Sequence, residues 1–307
     1  MSGNEIAIAV AALALQRSVR LAGVALRQFL DGLRTDDRAG SMSIDDVLER
    51  AGVSRPSVNM SVGEAQRDID MGLALGISPV PMSSDRYPVG LRRIADAPPV
   101  LFVRGDMAVL DRVPGVAVVG TRRATPHGLA IAERVSQYLS DEGWPIVNEM
   151  HIGINAAAHA GALKGKSSSI AVLAHGLEKA GPAKIRPLAD RILEGGGAWV
   201  SEHPVGVRAT ADSLVSLHRI LVGLTCASIF VEGNEKSASA AHAAFCQRDG
   251  QTVFAILPET GSNVSTASAL PKMLVARHGA TPIFSRADYP AMLEVVARRA
   301  AQLRAVP

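Results

Sequence analysis

The chain is short of the side chains that usually announce a chemistry. Aromatic residues make up only 4% of its 307 positions. That is too few for a surface that grips unpaired bases by stacking them in succession, so any nucleic-acid contact is expected to be mainly to phosphate. There are two cysteines, Cys226 and Cys246, both in apolar or alanine-rich surroundings and without a CxxC spacing. Buried free thiols are expected rather than a disulfide or a metal site. The eight histidines show no HExxH or paired-ligand spacing, so neither a structural zinc nor another cofactor is expected. Long apolar runs are missing too. Ile6 to Leu15 is too short to span a bilayer, and the leading MSGNE carries no cationic segment. A membrane helix and a signal peptide are therefore not expected, and the chain reads as cytoplasmic. Charge of one sign is also scarce. A formal net charge of +3 suits a nucleic-acid or nucleotide partner but is far from a cationic coat.

What is present is enough for a large core. With 48% hydrophobic and 20% charged residues, the disordered and low-complexity classes are excluded, and the length suggests one or two domains. Residues 5–31 read as one amphipathic helix, with Leu15, Val19, Ala22, Leu26 and Phe29 on one side and Arg17, Arg20 and Arg27 on the other. Residues 43–51 read as a short helix capped by Ser43, and residues 61–76 as another, with Ser61 three residues before Glu64 at capping-box spacing. Residues 1–80 thus read as a small helical domain. The Pro- and Ser-rich stretch 77–88 reads as a boundary.

Beyond it the pattern changes. Short apolar runs at 116–119, 145–148, 169–174, 198–201, 227–232, 252–257 and 281–284 alternate with helical segments. Strands recurring every 25–30 residues with a helix in each gap predict an α/β fold with a parallel sheet covered on both faces. Three of the helices are expected to end at Gly143, Gly250 and Gly279. Ligands in such folds bind at the carboxyl ends of the strands. That rule singles out Gly120–Arg123, Asn148–His151, His175-Gly176, Ser201–His203, Glu232-Gly233 with Ser237–Ser239, and Pro258–Gly261. The turn after Val116–Val119 is the most suggestive. A Gly, a hydroxyl and two guanidinium groups in Gly120-Thr121-Arg122-Arg123 precede a helix start. Close backbone approach, a forked cation and unpaired N–H groups together suit a phosphate.

The order of segments resembles the DprA/Smf family of DNA-processing proteins. The resemblance rests on Asp85–Pro88 with Leu91, Asp96–Phe102 with Arg104-Gly105, Val116–Arg122 with Gly128, and Gly153–His159 with Ala162-Leu163. It continues through Ile170–Leu173 with Gly176-Leu177, Ser201-Glu202 with Pro204, Arg219-Ile220 with Gly223-Leu224, Val231-Glu232 and Gly279-Ala280. It covers roughly residues 60–285, and its collinear order is more specific than any one motif. It implies an extended Rossmann-like, mostly parallel sheet over residues 81–285, behind the helical domain and ahead of a helical tail over 286–307. The tail carries Arg298, Arg299 and Arg304 and is too short for the winged-helix domain of some members. It also implies single-stranded DNA binding, a RecA-type recombinase as partner, a homodimer, and no enzymatic activity.

Departures from the family pattern bear on function. Where the family writes SGxARGID, this chain has Asn148-Glu149-Met150-His151-Ile152-Gly153-Ile154-Asn155, without the Arg and the Asp and with a Glu added. The RNR element is Leu217-His218-Arg219, the SGS turn is Ser237-Ala238-Ser239, and Leu214-Val215-Ser216 replaces an aromatic and a proline. Each loss removes a phosphate donor or a close-approach glycine. The expected DNA- and phosphate-binding set is Gly120, Thr121, Arg122, Arg123, Gly153, Lys164, Lys166, Arg219, Ser237 and Ser239. Arg219 could equally be a buried partner of Glu202 or Glu232, Ser237 an ordinary N-cap, and Lys164 and Lys166 a solvated loop rather than charge at the site's mouth. His159 reads as a packed core histidine. Glu149, His151 and His203 invite an acid–base role, but the sequence fixes no distance between them. Two alternatives stand beside DNA binding. One is a degenerate nucleotide-binding scaffold or sensor. The other is a nucleoside-monophosphate phosphoribohydrolase, disfavoured because Val231–Glu235 lacks that class's PGGxGTxxE element.

Overall fold

The computed structural model describes residues 2–18, 23–34, 41–257 and 268–305. Four helices come first: α1 (Gly3–Arg17), α2 (Val24–Arg34), α3 (Ile44–Arg50) and α4 (Arg55–Ala74). Then follow β1 (Ile77–Pro81), α5 (Val89–Arg93), β2 (Val100–Gly105), β3 (Gly115–Val119), α6 (Pro126–Asp141), β4 (Ile146–Glu149), α7 (Ile154–Ala162) and β5 (Ser169–Val172). The chain continues through α8 (Arg186–Glu194), β6 (Ala198–Ser201), α9 (Ala211–Gly223), β7 (Thr225–Phe230), α10 (Ala238–Arg248), β8 (Thr252–Ile256), α11 (Ala269–His278), β9 (Thr281–Ile283) and α12 (Tyr289–Ala305).

All seven strands expected from the apolar runs are present, β3 to β9, and they pair in parallel. Every residue of β3 and of β7 is buried, as befits strands covered on both faces. The sheet has nine strands in the order β1-β2-β6-β5-β4-β3-β7-β8-β9. The chain runs outward from β3 to β6, then returns to place β7 on the other side of β3. The strand order therefore reverses at the β3–β7 pair, and a crevice opens at their carboxyl ends.

The sequence reading missed the antiparallel edge. β1 pairs with β2 and β2 with β6, both antiparallel. Residues 77–81, taken as part of a boundary, form the outermost strand. Pro79 and Pro81 fit there because an edge strand tolerates a residue without an N–H. The single helix expected over 5–31 is instead α1 and α2, with Gly23 at φ 62 just before α2; Val19, Arg20 and Ala22 lie outside the described residues. α1 is not amphipathic: Ile8 to Leu15 are all buried. They share one apolar cluster with Val80, Leu101 and Val103 of the sheet edge, and Arg17 pairs with Asp68 of α4.

The helix expected from Ser61 starts earlier, at Arg55 after Ser54, with Pro56 in its first turn. A proline fits there because the first-turn N–H groups have no intrahelical partner. Ser43 does cap α3, accepting from the Asp46 N–H while the Asp46 carboxylate accepts from the Ser43 N–H. Gly143, Gly250 and Gly279 follow α6, α10 and α11 at φ 87, 60 and 66. The closing α12 packs Met292, Val296 and Ala300 against the β7 face. Cys226 and Cys246 are free and buried, and burial pushes both thiols up to about 12.

Candidate functional site

The turn after β3 is stitched to both neighbouring loops. The Thr121 N–H donates to the Glu232 carbonyl at 2.8 Å, and the Thr121 carbonyl accepts from Ile154 N–H at 3.2 Å. Gly120 permits this approach, since a Cβ there would lie 2.6 Å from the Glu232 carbonyl oxygen and 2.7 Å from the Ile154 side chain. Gly153 sits at φ 85, and a Cβ on it would run into the Thr121 carbonyl. Thr121 Oγ1 accepts from the Arg123 N–H at 3.1 Å. Glu232 secures the following helix: its carboxylate accepts from Thr125 N–H at 2.9 Å and Thr125 Oγ1 at 2.6 Å, and Thr125 Oγ1 accepts from Gly128 N–H at 3.0 Å. The backbone of the turn is thus fixed before any ligand arrives, which lowers the cost of binding.

Three segments close around a cleft of about 360 Å³: Gly120–Arg123 after β3, Glu149–Asn155 from the last residue of β4 onward, and Asn234–Ala238 after β7. Its cations are Arg122, Arg123 and Lys236, all exposed. Among the described residues none of the three is held in an ion pair. The N-terminus of α10 opens onto the cleft at Ser237 and Ala238, adding the partial positive charge of a helix start. Ser237 is the N-cap residue but makes no side-chain cap bond. Its hydroxyl donates to the Asn234 carbonyl at 2.6 Å and lies 2.7 Å from Ser239 Oγ.

The cleft also has an acidic wall that the sequence did not place. Glu149 is buried, and Asn155 Nδ2 donates to its Oε1 at 2.9 Å. Its Oε2 lies 3.5 Å from His151 Nε2, which in turn faces an Arg122 guanidinium nitrogen at 3.2 Å. Burial raises the Glu149 carboxyl to about 7, against the pull of the Asn155 hydrogen bond and the Arg122 charge. Burial, with Arg122 beside it, lowers His151 to about 4. His151 is therefore neutral at pH 7 and can accept from Arg122, orienting the guanidinium within the cleft lining. The sequence signal was the pair of departures at 149 and 151, but only the structure joins them to Arg122.

The expected residues divide cleanly. Gly120, Thr121, Arg122, Arg123, Gly153 and Ser237 meet at this cleft, with Ser239 behind Ser237. Lys164 and Lys166 do not. They follow the end of α7 and precede β5, so they stand at the amino ends of the strands, and Lys164 pairs with Glu133. Arg219 stands outside the cleft: it lies 2.5 Å from Glu202 and 3.2 Å from Asp96, and Glu232 is not its partner. His203 lies beside Glu202 at 4.0 Å, apart from Glu149 and His151, so the three do not form one acid–base group. His159 is fully buried with Nδ1 2.7 Å from Ser169 Oγ. Residues 258–261 lie outside the described residues. Among the described residues no cluster of His, Cys, Asp or Glu could hold a metal, and no helix is long and apolar enough to cross a membrane.

The family model for DNA recombination-mediator protein A matches residues 79–294, most of the chain and the whole of the parallel sheet. The chain belongs to this family. The DNA processing protein DprA of Bacillus subtilis is 33% identical over 213 residues, covering 69% of this chain and 70% of that protein. Protein Smf of Escherichia coli is 31% identical over 214 residues, covering 68% of this chain and 57% of Smf. The X-ray structure of DprA from Streptococcus pneumoniae superposes with a TM-score of 0.70 at 26% identity, over 95% of this chain and 98% of that one. A DprA structure from Helicobacter pylori, described for its single-stranded DNA binding mode, superposes with a TM-score of 0.61 at 22% identity, over 71% of this chain and 96% of that one. The Rossmann-like architecture is thus that of DprA, and a DprA-like role in DNA processing follows. The family is one of recombination mediators rather than enzymes.

Proposed function

We propose that this DprA-family chain binds single-stranded DNA through its phosphates, at the cleft where β3 and β7 diverge. The observation that carries the reading is the convergence of three segments on one pre-formed cleft holding Arg122, Arg123 and Lys236. Gly120, Thr121 and Gly153 shape the phosphate turn, Arg122 and Arg123 supply charge, and Ser237 and Ser239 sit at the α10 start. Lys164, Lys166 and Arg219 take no part at this cleft. On this reading the chain assists loading of a RecA-type recombinase in DNA uptake and recombination, acts in the cytoplasm and works as a homodimer. The sheet with its flanking helices, 81–285, would carry the DNA, behind the helical segment 1–80 and ahead of the tail 286–307.

Fluorescence anisotropy with a labelled oligo-dT at two salt concentrations tests the reading. Phosphate contacts predict a steep fall in affinity as salt rises, because binding releases condensed counterions. Salt-insensitive binding, or none, refutes it. Glu149 in the cleft favours one second reading, a nucleotide-binding scaffold or sensor, since a carboxyl beside the cations opposes a polyanion. If oligonucleotides fail to bind while a mononucleotide raises the melting temperature, this second reading replaces the first.

A further inference from the structure

His151 Nε2 faces two partners at once. A guanidinium nitrogen of Arg122 lies 3.2 Å from it, and Glu149 Oε2 lies 3.5 Å from it. A neutral imidazole nitrogen either carries a proton and donates, or offers its lone pair and accepts. Arg122 can only donate, and an ionised Glu149 can only accept, so His151 Nε2 serves one of them and not both. We propose that the proton on Glu149 decides which one it serves. When Glu149 is protonated, His151 accepts from Arg122 and presents the guanidinium to phosphate. When Glu149 is ionised, it draws the His151 N–H to itself, and Arg122 loses its hold. Glu149 is thereby a positioning residue that couples DNA binding to a proton. This relay rests on the phosphate reading of the Gly120–Arg123 turn and sets how that site is regulated.

The surroundings fit such a relay. The chain turns tightly after β4, with the His151 N–H donating to the Glu149 carbonyl at 3.1 Å. Asn155 Nδ2 occupies Glu149 Oε1 at 2.9 Å, which leaves Oε2, the oxygen near His151, to take up or release the proton. The His151 side chain is 19% exposed, so water can carry a proton between its two ring nitrogens. On ionisation one proton passes from Oε2 to solvent, and another passes through water from His151 Nδ1 to Nε2. Burial raises the Glu149 carboxyl to about 7, which puts the change at ordinary pH. Glu149, His151 and Asn155 stand where SGxARGID has its Gly, Ala and Asp, so the relay is built wholly from this chain's departures. The other charges nearby do not switch with it. Arg123 and Lys236 come from the loops after β3 and β7. His159 of α7 and His218 of α9 are both lowered to about 4, chiefly by burial. Beyond β5 and β6 stand His175, Glu178, Lys179 and Arg208; any titration there is common to wild type and Glu149→Gln and cancels in their difference.

Oligo-dT affinity of the full chain, measured by anisotropy at pH 5.5 and pH 8.5 and fixed salt, tests the relay. Wild type should bind about ten-fold more tightly at pH 5.5, the effect of a one-unit change in the Glu149 value on binding. Glu149→Gln cannot ionise and should keep the pH 5.5 affinity at both. Arg122→Ala should bind weakly at both, within about two-fold, because the proton acts through Arg122. A second readout needs no ligand. Side-chain nitrogen-15 NMR of wild type should show the His151 proton on Nδ1 at pH 5.5 and on Nε2 at pH 8.5, and Glu149→Gln should keep it on Nδ1. Equal wild-type affinity at the two pH values, with the expected salt dependence intact, overturns the relay and leaves the DNA reading standing. A pH effect that survives in Glu149→Gln overturns it too. So does one that survives in Arg122→Ala, since Glu149 would then repel phosphate directly. If no oligomer binds at either pH, the DNA reading falls and the NMR decides alone. An unmoved His151 proton then overturns the relay, and a move that Glu149→Gln abolishes upholds it as the control of Arg122.

Discussion

Replacing Glu149 by Gln should uncouple the fold from pH over a defined window. In the folded chain Glu149 is buried against Asn155 and His151, and burial raises its carboxyl from 4.5 to about 7. Between those values the folded protein holds a proton that the unfolded chain has released. Stability therefore falls as pH rises through the window, by about 3 kcal/mol once both values are passed, at 1.36 kcal/mol per pH unit. Gln has the same shape, still accepts from Asn155 through its amide oxygen, and cannot ionise. Its variant should escape the loss. His151 acts in the opposite direction, since its value is lowered to about 4 and the unfolded chain takes up a proton first as pH falls below 6.5. That contribution is common to both proteins and cancels in their difference. Urea unfolding of wild type and Glu149→Gln at pH 5 and pH 8 measures it. The advantage of the variant should grow by about 2–3 kcal/mol between the two conditions. A difference that stays constant with pH would show that Glu149 is ionised in the folded protein or exposed to water, and would remove the acidic wall from the site.

Gly153→Ala should lose about 2 kcal/mol or more of stability in chemical denaturation, because φ 85 is strained for alanine and its Cβ meets the Thr121 carbonyl. An unchanged midpoint would mean that the phosphate turn is not held as described. Asn148→Ala should cost about 3 kcal/mol, since Asn148 Oδ1 accepts from the Val118 N–H at 3.1 Å and its Nδ2 donates to the Val118 carbonyl at 2.8 Å. Faster amide exchange at Val118 checks this directly. Arg219→Met should cost about 3 kcal/mol by stranding Glu202, while changing oligo-dT affinity far less than Arg122→Ala. A larger affinity loss than that of Arg122→Ala would return Arg219 to the binding surface.

The parallel core was legible because a strand covered on both faces must be apolar along its length, and β3 to β9 announce themselves that way. The antiparallel edge was not, because Pro79 and Pro81 read as turn residues until one knows that β1 has a free side. Ser61 and Glu64 fit a capping box by letter alone, yet they fall inside α4 because Pro56 and Ser54 supply an earlier start. At the site, Gly120–Arg123 was readable as a strand end meeting a helix start. Lys164 and Lys166 misled because basic residues near a glycine-rich helix carry no label for which end of the strands they occupy. Glu149, His151 and Arg122 come from two separate segments, and the contact between those segments is set by Gly153, whose role is visible only in three dimensions.

The central claim is that Arg122 holds a DNA phosphate at the β3–β7 crevice. Oligo-dT affinity measured by anisotropy across a salt series, for wild type beside Arg122→Ala, tests it most directly. Each phosphate contact on a single strand contributes about 0.7 to the slope of log affinity against log salt. The account predicts weaker binding by the variant and a slope shallower by about 0.7. Equal affinity and equal slope for the two proteins would contradict it.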